Sequence, residues 1–160
     1  MKTFFKTILV AIVAMCSFSV HAEEAHKYFD EVANKPNFDY TYISPAMLRS
    51  MGGRYLNEAD AGGIQLNSHD LTSIETISTP VSGEDADLWK IIRQIKKDKK
   101  LENLSTKKKD YYRYDMLGRT TKDGEFITHL MIITQNGSDN VSVIYIEGKI
   151  PIAITDLSFL

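Results

Sequence analysis

Residues 125–135, EFITHLMIITQ, and 140–147, NVSVIYIE, decide the fold class. Each alternates with the period of a strand, and each is apolar on both sides of that alternation. Phe126, Leu130 and Ile132 oppose Ile127, Met131 and Ile133, while Val141, Val143 and Tyr145 oppose Ile144 and Ile146. Strands of this kind need cover on both faces, which places them in the middle of a sheet rather than at an exposed edge. Asn136-Gly137-Ser138-Asp139 between them and Asp123-Gly124 before them are turn chemistry, so the expected connection is an antiparallel meander. Residues 110–118, DYYRYDMLG, supply its third strand.

Upstream the period changes. Leu88, Ile91, Ile92 and Ile95 stand at i, i+3, i+4 and i+7, with Ser82 as N-cap, acids at Glu84, Asp85 and Asp87, and lysines crowding the end. Acid first and base last both complement the helix dipole. Before it, residues 71–79 read as a strand around Ile74 and Ile77 that Pro80 closes. Phe38, Tyr40 and Tyr42 alternate with polar residues as another strand, whose tyrosines read as core and interface packing. Ser44-Pro45 then opens a short helix that ends at Gly52-Gly53. Ala25, Tyr28, Phe29 and Val32 mark an amphipathic helix over 24–34, stopped by Pro36. The stretch 54–70 reads as a long loop, and 151–157 as a short terminal helix. The sum is an α+β domain with a mainly antiparallel sheet of about five strands and helices packed on one face, with a ferredoxin-like two-layer sandwich as the leading architecture.

The first 22 residues carry a different signal. Lys2 and Lys6 precede an apolar run, TILVAIVAM at 7–15, and Val20-His21-Ala22 offers small residues where a signal peptidase reads. Cleavage after Ala22 is the expectation, with lipidation at Cys16 as the alternative, leaving one domain over 23–160. The apolar run is shorter than the roughly 20 residues a spanning helix needs, so no transmembrane segment is expected in the mature chain. Of 160 residues, 43% are hydrophobic and 25% charged, with four prolines, which excludes disordered and collagenous chains. Cys16 is the one cysteine, so cleavage would remove thiol catalysis and disulfides together. A net charge of −2 does not suggest a nucleic-acid partner.

The order of these elements carries a resemblance. A leader, an amphipathic helix ending near YFDEVANK, an FDYTYIS strand entering Ser44-Pro45-Ala46-Met47, and a late meander closing on IEGKIPIAITDL with Gly148 before its last segment resemble a family of small exported Bacteroidetes proteins known as domain of unknown function 4252. The resemblance implies an α+β domain with a mainly antiparallel sheet in the cell envelope. It supplies no catalytic residues. The glycine-containing insertion at 52–63 departs from the family pattern.

No catalytic constellation stands out. His26, His69 and His129 lack metal-ligand spacing, so no metal and no cofactor are expected. His129, between Ile127 and Met131, reads as a satisfied or solvent-facing sheet histidine. Asn57, Glu58 and Asp60 lack the remaining ligands of a calcium loop and read as polar surface. The distinctive surface feature is basic: Lys96, Lys97, Lys99, Lys100, Lys107, Lys108 and Lys109, followed at once by Tyr111, Tyr112 and Tyr114. Such a patch attracts an acidic partner or phosphate-rich envelope material, and equally guards a strand edge against aggregation. The leading expectation is therefore an exported, non-catalytic domain that binds an envelope protein or an anionic envelope component. Two alternatives stand behind it: a self-associating structural envelope protein, and a periplasmic hydrolase using His69 and Asp70.

Overall fold

The computed structural model describes residues 22–53, 66–79, 85–137 and 140–152. The leader, the Asn57-Glu58-Asp60 loop, the Ser82 cap and the expected terminal helix beyond residue 152 lie outside these residues. Strands β1 (Asp39–Ile43), β2 (Leu71–Thr79), β3 (Glu102–Lys109), β4 (Tyr112–Thr120), β5 (Phe126–Asn136) and β6 (Asn140–Pro151) form one sheet in the order β1-β2-β6-β5-β4-β3. Every neighbouring pair is antiparallel. The doubly apolar strands β5 and β6 occupy the middle, as their composition requires.

The sheet has six strands, not about five. The additional strand is β3, ENLSTKKK, which lies at an edge and is mostly exposed, so it lacks the apolar alternation by which strands are read. Connectivity also differs from a ferredoxin-like sandwich. Helix α3 (Asp85–Asp98) carries the chain from β2 to β3, and three strands lie between them in the sheet. The split βαβ unit of the ferredoxin-like arrangement encloses a single strand instead.

Helices cover both faces rather than one. On the first face, Phe29 and Val32 of α1 (Ala22–Ala33) and Leu88, Ile91, Ile92 and Ile95 of α3 pack on Ile77, Leu117, Met131, Val143 and Tyr145. On the second, Leu48 of α2 (Pro45–Ser50) joins Ile74, Met116, Leu130, Ile132 and Ile146. Helix α2 begins as its sequence asks, with the Ser44 hydroxyl accepting from the Met47 amide at 3.2 Å and Pro45 in the first turn.

Two backbone devices shape the rims and the second core. Helix α3 ends in a Schellman arrangement: Lys100 is left-handed (φ 54°), the Leu101 amide reaches the Lys96 carbonyl at 2.9 Å, and Leu101 is buried. This reverses the chain into β3. On β5, the register shifts between Ile127 and His129. Ile127 therefore joins Leu130 and Ile132 in the second core, where strict alternation would have opposed it to them, while His129 keeps the alternation of Met131 and Ile133 toward the face that carries α1 and α3.

Candidate functional site

The seven lysines do not form one patch. Lys96 and Lys97 are exposed in the last turn of α3 and Lys100 follows in the reversal. Strand β3 then advances about 3.4 Å per residue, carrying Lys107, Lys108 and Lys109 to the opposite rim of the sheet. Register divides these three again. Lys107 pairs with Tyr114 and Lys109 with Tyr112, on the face of the second core, while Lys108 pairs with Arg113 on the other face.

Lys107, Lys109, Tyr111 and Tyr112 do come together, in a cleft of about 510 Å³ also lined by Asp110, Tyr114 and Asn136. The two-residue turn between β3 and β4 builds it. Asp110 takes the left-handed conformation (φ 52°), which a short polar side chain tolerates, and this throws Tyr111 outward to 83% exposure. The Tyr111 carbonyl accepts from the Gly137 amide at 2.7 Å, tying this turn to the one between β5 and β6. Tyr114 is buried at the bottom, and its hydroxyl has no hydrogen-bond partner among the described residues. Burial, with Tyr112 adding to it, pushes this phenol up to about 12. The cleft thus offers aromatic walls and two ammonium groups, over a buried phenol whose hydroxyl is unpartnered among the described residues.

A second cleft, of about 650 Å³, opens beyond the C-terminal end of α3 on the first face. Arg119 of β4, His129 of β5 and Glu147 of β6 are register partners in one row across it. His129 Nδ1 lies 3.3 Å from Glu147 Oε1 and 3.1 Å from the Tyr145 hydroxyl oxygen, and that hydroxyl donates to Glu147 at 3.0 Å. Lys99, folded back from the helix end, brings its ammonium to 3.7 Å from the same carboxylate oxygen. Burial alone would raise the Glu147 carboxyl. The hydrogen bond and charge of His129, with Lys99 and Tyr145, outweigh that and hold it below the usual range. Burial and Glu147 together push the Tyr145 phenol up.

Sequence reasoning missed this row, although its signal was present. Counting outward from the Asn136–Asn140 pair at the turn brings His129 opposite Glu147, two polar residues interrupting otherwise apolar strands. The pair His69 and Asp70 sits in a single 3-10 turn, Ser68–Asp70. A Cβ on Gly53 would fall 2.4 Å from the His69 ring, so that ring rests against backbone, and among the described residues its side chain makes no hydrogen bond. Asp70 instead lines the second cleft. No group of three or more His, Cys, Asp or Glu suited to a metal occurs among the described residues, and no helix there is long and apolar enough to cross a membrane.

No curated protein and no solved structure matches the chain. A family model does, over residues 28–156, which takes in every strand and all but the first turns of α1. With the expected element order now seen as α1, β1, α2, β2, α3 and a closing meander, the chain belongs to the family described as Domain of unknown function (DUF4252).

Proposed function

We propose that this protein is an exported, non-catalytic binding domain of the cell envelope, and that it holds an anionic partner in the cleft beside the β3–β4 turn. The observation that carries the reading is the convergence of Lys107 and Lys109 on Tyr111, Tyr112 and the buried, unpartnered hydroxyl of Tyr114. Exposed aromatic rings supply contact area at small entropic cost, and lysines at the mouth select for negative charge. The leader pattern at residues 1–22 supports export. The placement of His69 against Gly53, without a hydrogen-bonded side-chain partner among the described residues, favours binding over hydrolysis at that turn.

Capture of tagged protein from cross-linked envelope of its host, read by mass spectrometry and by lipid and glycan analysis, tests this. Wild type should enrich one anionic component. Lys107→Glu combined with Lys109→Glu should lose it, while Lys96→Glu with Lys97→Glu, on the far rim, should retain it. Equal recovery by all three proteins would remove the cleft from consideration.

A further inference from the structure

The second cleft is built from side chains that play no part in the tyrosine cleft. Three of its cationic or proton-donating groups come from three adjacent strands: Arg119 from β4, His129 from β5 and Lys149 from β6. Arg119 and His129 are direct register partners. Lys149 follows the His129 partner Glu147 by two positions, hence on the same face, with its ammonium 4.1 Å from the centre of the Phe126 ring. Neither Arg119 nor Lys149 makes an ion pair among the described residues.

His129 is held, not loose. Its Nδ1 faces both Glu147 and Tyr145, which leaves Nε2 as the ring nitrogen available to a ligand. A carboxylate that fixes one imidazole nitrogen orients the other. Regular alternation with Met131 and Ile133 delivers this ring to the cleft face, and the Thr128 hydroxyl, donating to the Arg119 carbonyl at 3.1 Å, fastens the register shift beside it to β4. Lys99 and Glu147 neutralise one another beneath the site. Of the remaining lining carboxylates, Asp70 enters from the β2 side, its backbone against Gly148 beside Lys149 and with β6 and β5 between it and Arg119, and Asp98 at the helix end accepts from the Tyr28 hydroxyl.

From this geometry we infer that Arg119, His129 and Lys149 form a binding site for a phosphate group, separate from the tyrosine cleft. A guanidinium provides paired donors to two oxygens, the oriented imidazole a third contact, and the lysine a point charge, a set suited to a tetrahedral oxyanion. The phosphate is carried either by a soluble ion or ester or by a lipid headgroup.

Calorimetric titration of the full mature protein with inorganic phosphate in low-salt buffer provides the first arm. Flotation with vesicles containing phosphatidic acid, against vesicles of phosphatidylcholine alone, provides the second. Saturable heat with phosphate assigns the soluble form, and selective flotation assigns the headgroup. In whichever arm responds, Arg119→Gln should weaken binding at least about tenfold, and Lys149→Gln should weaken it less. Lys107→Glu with Lys109→Glu should leave phosphate binding intact, which separates failure here from failure of the tyrosine cleft. Silence in both arms, or an Arg119→Gln protein that binds like wild type with an unchanged circular dichroism spectrum, overturns the inference.

Discussion

His129 and Tyr145 lie diagonally across β5 and β6 with ring planes within 7° of parallel, centroids 6.3 Å apart, and the tyrosine hydroxyl 3.1 Å from Nδ1. That hydroxyl also donates to Glu147, so one buried oxygen serves both partners. Tyr145→Phe should cost about 1–3 kcal/mol, because it strips a hydrogen bond from a buried carboxylate while leaving the ring packing intact. Urea denaturation at neutral pH should show a lower midpoint with an unchanged slope.

Acid should reveal Glu147. Its folded pKa lies below the unfolded value, so its contribution to stability is complete above the ordinary carboxylate range and is lost as pH falls through the folded pKa. Stability of wild type should therefore decline from about pH 5 downward. Glu147→Gln should be less stable at neutral pH and flatter across that window. Parallel stability curves for the two proteins between about pH 3 and 6 would contradict the assignment.

Gly148→Ala should be strongly destabilising. A Cβ there would lie 2.4 Å from the Asp70 carbonyl oxygen and 2.7 Å from the Leu71 Cα, both backbone atoms that cannot swing aside. Overpacking of this kind costs about 1–3 kcal/mol, and thermal unfolding should move down by several degrees or more.

The Ser73 hydroxyl is buried without a hydrogen-bond partner among the described residues, although its residue is the register partner of Glu147. Removing an unsatisfied group is expected to help. Ser73→Ala should be neutral or more stable by about 1 kcal/mol, whereas a loss of that size would mean the hydroxyl is paired in solution.

Phe29 is fully buried under α1, tilted at 39° to Tyr40 on the edge strand. Phe29→Ala should cost about 3–5 kcal/mol, measured by chemical denaturation. A small effect would show that α1 adds little to the domain.

Much of the architecture was legible because apolar period and turn chemistry agree. Leu88, Ile91, Ile92 and Ile95 face the core as their spacing requires, and β2 runs over the residues read for it. Strand β3 escaped notice because an edge strand satisfies one side of its backbone with water and needs no apolar stripe. Part of the basic and aromatic cluster was legible in the same way: a hairpin turn makes Lys107, Lys109, Tyr111 and Tyr112 neighbours in space as in sequence. The Arg119–His129–Glu147 row was harder to read: each pair follows by regular counting from its turn, but the row exists only once the sheet order sets β4, β5 and β6 side by side.

The last strand among the described residues is also a central one. Strand β6 inserts between β2 and β5, and Thr79 meets Val141 across 62 positions of sequence. A chain delivered from its N-terminus has α1, β1, β2 and α3 in hand long before β6 arrives to join them to the meander. Until then the apolar flank of β2 has no neighbour on that side. Closure of the sheet thus waits until β6 is available, and a fragment ending at Asn136 is an open, adhesive chain rather than a smaller domain.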